Sequence, residues 1–243
     1  MGSRVLILVF AIAALIAAGC GGRGRPSTDA VRQDESLSGE AAAAFGGLPE
    51  VDLSESEALR TFLIDPAQSK AAYIVDEEFF AEATSKYGLE VGKYKVAGET
   101  QDVVGVMQLD PSGATIGPNR FAVYLPTLQT DQKLRDGWIR ENALESEKFP
   151  LAILVAREIV NAPEGYTDGA WASFQLEGEL TLRGVTLASV WEVNARLQDG
   201  TIEGSLESRM RMTDLGFEPP NFANTLTVQD EFTVRIEFVA NEE

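Results

Sequence analysis

From Ser173 to Ala240 apolar and polar residues alternate one for one. Phe174, Leu176, Leu180 and Leu182 fall on one side of a strand, and Gln175, Glu177, Glu179, Thr181 and Arg183 on the other. The pattern returns in Trp191, Val193, Ala195 and Leu197 against Glu192, Asn194, Arg196 and Gln198, and again in Phe232, Val234, Ile236 and Phe238 against Glu231, Thr233, Arg235 and Glu237. Period two predicts half-buried antiparallel strands with one wet face. Such a sheet packs its oily face on a second sheet or closes on itself, and a barrel of about eight strands leaves room for one small ligand. Further β-prone runs at Tyr73–Val75, Val103–Leu109, Phe121–Leu125 and Ala152–Val160 stand between turn signals such as Asp110-Pro-Ser-Gly113 and Gly117-Pro-Asn119. Between Asp131 and Glu145, Leu134, Trp138 and Ile139 recur at helical spacing, with Pro150 beyond. The pattern predicts an all-β fold: an antiparallel barrel of about eight strands with one short helix. Ser54-Glu-Ser-Glu57 has the spacing of a helix start, and Thr61–Ile64 straight after reads equally well as a first strand, so that boundary stays open.

The first residues have another character. Met1–Arg4 carries one positive charge, Val5–Ala18 is apolar, and Ala17-Ala18-Gly19-Cys20 follows. This is the shape of a signal peptide over 1–19, and it is short of the about 20 apolar residues that a spanning helix needs. Cys20 is the only cysteine, so an internal disulfide is excluded. Its place after Ala-Gly resembles the lipobox of bacterial lipoproteins, with Ala17 where Leu is usual. The resemblance implies that Cys20 is acylated; an ordinary signal peptide or an uncleaved anchor is the other reading. Both put the folded part outside the cytoplasm, in a bacterial cell envelope. Residues 20–58, rich in Gly, Ala, Ser, Glu and Asp, read as a disordered acidic tether. The remainder, 59–241, fits one domain.

Charge narrows the partners. The chain has 38 acidic and 20 basic side chains, a formal net charge of −18. That makes nucleic acid an improbable partner and repels an anionic bilayer, so a covalent lipid is a sensible means of staying at a membrane. Chemistry is scarce. With no histidine, Ser/His/Asp and Cys/His arrangements are excluded, as are the common His zinc sites. Neighbouring carboxylates such as Asp76-Glu77-Glu78 point to opposite faces of a strand and read as solvated. No catalytic residue and no metal site are nominated, and no cofactor is expected.

Several segments together carry a resemblance: Asp65-Pro-Ala-Gln-Ser69, Asp131-Gln-Lys-Leu-Arg-Asp136 leading to Lys148-Phe-Pro150, Gly178-Glu-Leu-Thr-Leu-Arg-Gly-Val-Thr186, Thr213-Asp-Leu-Gly-Phe-Glu-Pro219 and Val228–Phe238. In order and spacing this chain resembles the YceI-like family over about 180 residues. The resemblance implies an extended lipocalin-like barrel whose interior holds an isoprenoid chain, polyprenyl or quinone-like. Two departures stand out. The family commonly has a His beside the Ser of the first motif, where this chain has Gln68, and often a second near Asp76 or Glu77. The segment Glu78–Gly98 also differs from the usual short turn, which predicts a rebuilt rim.

The expected cavity wall is Phe121, Val123, Leu125, Phe174, Leu176, Leu180, Leu182, Trp191, Val193, Leu206, Met210, Phe232, Val234, Ile236 and Phe238, with Phe149, Phe217 and Phe222 at the mouth. Alternation alone fits a lined cavity and a filled core equally; the family resemblance favours the cavity. The expected function is a membrane-anchored protein that sequesters or shuttles an isoprenoid-type lipid without catalysis. The alternative is a filled barrel that docks a protein partner.

Overall fold

The computed structural model describes residues 37–88, 90–110, 116–163, 165 and 167–243. The signal segment and Cys20 lie outside these residues. In chain order the elements are α1 (Gly39–Gly46), β1 (Arg60–Ile64), β2 (Lys70–Phe79), α2 (Ala81–Tyr87), β3 (Gly92–Thr100), β4 (Val103–Leu109), β5 (Asn119–Tyr124), α3 (Lys133–Trp138), β6 (Leu151–Val160), β7 (Ala172–Leu182), β8 (Val185–Gln198), β9 (Thr201–Arg211), β10 (Asn221–Phe222) and β11 (Leu226–Glu242). A π-helical turn, Ile139–Ala143, continues α3, so the helix expected over 131–145 is present in two registers.

Eight strands close a ring in the order β1-β4-β5-β6-β7-β8-β9-β11, every pairing antiparallel, sealed where Ile64 of β1 faces Ala240 of β11. This is the expected lipocalin-like barrel. The long strand β11 pairs β9 along one edge; along the other it pairs β1 near its end and β2 over Leu226–Glu237. β2 thus continues the line of β1, and β3 pairs outside it. The motif Asp65–Ser69 makes the bend between them. Asp65 accepts from the Ala67 N–H at 3.0 Å, while Ser69 donates its hydroxyl to the Asp65 carbonyl at 2.7 Å and accepts from the Val239 N–H at 3.1 Å. The segment Glu78–Gly98 holds the end of β2, the helix α2 and most of the strand β3.

The barrel has two unlike ends. The β8–β9 turn at Asp199–Gly200 and the meeting of Arg60 with Glu242 mark one. The β7–β8 turn at Arg183–Gly184 marks the other; both its residues have positive φ (52° and 74°), the requirement of a tight primed hairpin turn. Toward the first end the interior is packed solid by Phe62, Phe121, Leu154, Trp191, Leu206 and Phe238. Phe121 and Phe238 meet edge to face with ring centroids 5.8 Å apart.

The expected disordered tether does not run to residue 58. Ser38 caps α1, accepting from the Ala41 N–H at 3.2 Å, and donates its own N–H and hydroxyl to Asp102 at 2.9 and 3.0 Å. Phe45 and Ala41 are buried against Val104, Ala122 and Tyr124 on the outer face of β4 and β5. Composition hid this, because the segment gains its apolar contacts from the barrel and not from itself. From Asp102 the chain descends the outer wall to Ser54, whose N–H donates to Gln108 at 2.8 Å, and enters β1 at the opposite end. Replacing Asp102 with Ala leaves Ser38 without its charged acceptor and should cost about 1–3 kcal/mol. Hydrogen exchange is expected to lose protection over 39–48 while the barrel strands keep theirs; unchanged protection would mean that Phe45 and Ala41 alone hold the helix.

Candidate binding cavity

Toward the β7–β8 turn the barrel is hollow. A cavity of ≈ 670 Å³ lies between β2, the upper part of β11, β5–β7 and the roof made by α3 and the π-turn, within the size range of ligand pockets. Its lower limit falls between consecutive inward residues of the same strand. Val123 lines it and Phe121 does not; Val234 lines it and Ile236 does not. The interior is therefore both things that alternation allowed, a cavity above and a packed core beneath.

Of the expected wall, Val123, Leu125, Leu180, Leu182, Phe232 and Val234 line the cavity, as do Phe217 and Phe222 of the expected mouth. Leu176, Trp191, Val193, Leu206 and Met210, with Phe121, Ile236 and Phe238, are packed in the core and do not line it. Phe174 is partly buried against that core. Phe149 does not line the cavity: its ring lies on Gly184 of the β7–β8 turn, where an added Cβ would come within 2.8 Å of it. Periodicity identifies the inward face of a strand and carries no information on height along the barrel axis, so it does not separate cavity wall from packed core.

The inward face of β2, Ala71, Tyr73, Val75, Glu77 and Phe79, was missed, together with Leu134, Arg135, Trp138 and Ile139 of the roof. The acidic run expected to be solvated is split by the strand: Asp76 is exposed, while Glu77 faces the cavity and is 5% exposed. It is held by Arg135, whose Nη2 donates to Glu77 Oε2 at 3.0 Å. The same guanidinium donates through Nη1 to Asp131 at 2.5 Å and to the Thr130 hydroxyl at 3.2 Å. Burial holds the Glu77 carboxyl above its usual range, with the facing Arg135 opposing. Gln68, which stands where the family commonly has His, is exposed and donates to Asp65 at 2.6 Å; it does not line the cavity.

Tyr73 contributes a second polar feature. Its ring lies across Gly98 of β3, where a Cβ would stand 2.2 Å from the ring. Its hydroxyl is buried with no hydrogen-bond partner among the described residues, and burial pushes its pKa up, so it stays neutral.

The most specific motif residues shape the rim. Arg183 donates to Glu145 through Nε at 3.0 Å and through Nη2, donates to the Gly216 carbonyl at 3.2 Å, and lies over the Phe217 ring at 5.3 Å. One side chain thus ties the β7–β8 turn, the segment after the roof and the Asp214-Leu-Gly-Phe turn together. Trp138 meets Phe222 edge to face at 5.6 Å across the opening.

A family model described as YceI-like domain matches residues 62–240. No curated protein matches the chain. Among solved structures, BcnA of Burkholderia cenocepacia is similar over 73% of this chain and 99% of its own, at 16% identity and a TM-score of 0.56. A polyisoprenoid binding domain from Saccharophagus degradans, implicated in plant cell wall breakdown, is similar over 76% and 99%, at 13% identity and a TM-score of 0.55.

Two outcomes follow from the polar groups. Tyr73→Phe removes an unpaired buried hydroxyl and should raise stability by up to about 1–3 kcal/mol in urea unfolding; a loss would reveal a bonded hydroxyl. Glu77 binds its proton more tightly in the folded chain than in the unfolded one, so its contribution to stability falls as pH rises from about the ordinary 4.5 through the raised folded value. Measured against Glu77→Gln, the wild type should lose relative stability across that window. A relative gain toward neutral pH would mean that the pair with Arg135 outweighs burial.

Proposed function

The chain belongs to the YceI-like domain family, whose model matches residues 62–240, and from that premise we propose that it is a lipid-binding protein that takes an isoprenoid chain into the upper half of its barrel and carries it without catalysis. The observation that carries this reading is the cavity itself: ≈ 670 Å³, walled by aliphatic and aromatic side chains from β2, β5, β7 and β11. An isoprenoid chain offers methyl, methylene and alkene groups and gains about 0.8 kcal/mol per buried CH₂. The polyisoprenoid binding described for the similar domain from Saccharophagus degradans supports the same ligand class.

Size and charge refine the ligand. At about 30 Å³ of liquid volume per water-sized group, the cavity accommodates about 20 non-hydrogen atoms, or about four five-carbon units. The charged side chains lining the cavity are Glu77, Arg135 and Lys86; with Asp131 on the Arg135 guanidinium and Glu82 on Lys86, three carboxylates stand against two cations. An uncharged head, alcohol or quinone, meets no repulsion there; a phosphorylated head meets a net negative cluster.

Placement follows from the N-terminal segment. Val5–Ala18 followed by Cys20 supports export and acylation, with the barrel outside the cytoplasm and tethered to a membrane of the cell envelope. One acyl chain holds only marginally, and stable anchoring takes a second signal.

Binding of all-trans prenols of increasing length, followed by quenching of the tryptophans or by calorimetry, tests the proposal. Affinity should rise at least about tenfold per added unit from two to four units and then level off. The diphosphate of the four-unit alcohol should bind more weakly than the alcohol. If no prenol of any length binds, the lipid-carrier reading fails.

A further inference from the structure

We propose that the rim of the cavity, formed by Leu134, Trp138 and Phe222, is a docking surface for a zwitterionic lipid bilayer, which the barrel meets mouth first; this rests on the membrane-tethered reading above. Leu134 is 80% exposed and Phe222 42%. A single exposed leucine is ordinary. These two, however, stand at the edge of one opening, both line the cavity beneath it, and Trp138 joins them, packed on Phe222.

The second observation is where the tether leaves the barrel. Leu37 is the first described residue, and Ser38 is fixed to Asp102. Asp102 lies at the cavity end: its carbonyl accepts from the Tyr124 N–H at 2.9 Å, and the next residue, Leu125, lines the cavity. A chain coming from a membrane therefore reaches the domain on the side of the mouth. The 16 residues between Cys20 and Leu37 reach at most about 60 Å, and none of that reach is spent in passing the length of the barrel.

The opposite end is dressed differently. Arg60 and Glu242 pair there, as do Arg196 and Glu203, and the exposed Trp171 is covered by the Arg196 guanidinium at 5.3 Å. At the mouth the charges are mixed, with Asp131 and Glu141 exposed on the roof beside the exposed Lys133 and with Lys86 at the cavity paired to Glu82, on a chain of net charge −18, so an anionic surface gains nothing over a zwitterionic one. Two or three apolar side chains are too few to hold a free protein at a bilayer. Tethering supplies a high effective concentration, under which a weak rim contact suffices to orient the opening toward the lipid phase.

The three tryptophans allow a direct test. Trp138 is at the mouth, Trp191 is in the core, and Trp171 is separated from the β7–β8 turn by about 35 Å at about 3.3 Å per residue along β7. The chain from Cys20 onward retains every described residue, and its sole cysteine can be coupled to a maleimide-headed lipid in phosphatidylcholine vesicles. Because the anchor is supplied chemically, the result does not depend on native acylation, and prenol binding is read separately on the same protein. Brominated acyl chains should quench part of the fluorescence; the quenching should disappear in Trp138→Phe, persist in Trp171→Phe, and fall at least twofold in Leu134→Ser. Replacing part of the phosphatidylcholine with phosphatidylglycerol should weaken it. Loss of quenching in Trp171→Phe instead, no quenching at all, or stronger quenching with phosphatidylglycerol would each overturn the proposal.

Discussion

The structure depends on how one strand shares its edge. β11 is 17 residues long and must have its backbone polar groups paired on both sides, since unpaired buried ones are costly. One side is occupied by β9 over Glu231–Asn241 and by the short β10 at Leu226 and Thr227. The other side is divided between β1 and β2. Where β1 takes it, β4 follows at once, the ring closes, and the interior is narrow enough for six large side chains to fill. Where β2 takes it, the next strand is β3, which turns away from the ring. The gap between β3 and β5 is bridged by a single point of backbone pairing, Glu99 with Gln129, and by the non-strand segment that includes α3. A wall closed by helix and turn leaves space that a wall closed by strand does not. The cavity is the consequence of this split, and the bend at Asp65–Ser69 fixes its height.

The same split explains the buried charge. A helix lying over an apolar opening needs something to set its position, because the wall offers it no ladder of backbone hydrogen bonds. Arg135 reaches from α3 to Glu77 on β2, and Asp131 one helical turn earlier holds the other edge of the guanidinium. Isolated, Glu77 would cost several kcal/mol to bury. Paired, it joins the roof to the wall at one point, and the rest of the roof rests on apolar contact. A buried ion pair is weak evidence for stability but fixes geometry well, and here the geometry it fixes is the closure of a ligand cavity.

The barrel was legible because its strands have one wet face. Alternation through Phe174–Arg183, Trp191–Gln198 and Glu231–Phe238 identified inward and outward residues, and every inward residue there is buried or packed against the core. What alternation could not convey was height, so Phe121 and Val123 looked equivalent although one is floor and the other wall. β2 was only partly legible, as Tyr73–Val75, because its inward face carries Glu77 and its outward face carries Ile74; the period is there, but the polarity is mixed. The docking of α1 was invisible for a different reason. Its two buried residues, Ala41 and Phe45, make no amphipathic pattern by themselves, and the acceptor that fixes the cap, Asp102, is 64 residues away.

The quoted motifs carry part of the cavity wall, among it Leu134, Arg135, Leu180, Leu182, Phe232 and Val234, but the motif residues that impose turns and ties are a different set. Asp65 and Ser69 form the bend, Arg183 binds Glu145, Gly216 and the face of Phe217, and Gly184 makes room for Phe149; of these only Phe217 lines the cavity. Residues recognisable at a distance in sequence are those that impose a turn or tie three segments at one point, since few side chains satisfy such geometry. Residues that touch an isoprenoid need only be apolar and of suitable size, a condition that Leu, Val, Met and Phe meet interchangeably. A chain can therefore keep the recognisable scaffold while its cavity changes in length and its polar corner changes in character. The absence of histidine is an instance: the position of Gln68 is solvent-exposed, outside the cavity, and the buried carboxylate at the cavity wall is that of Glu77, held by an arginine from the roof.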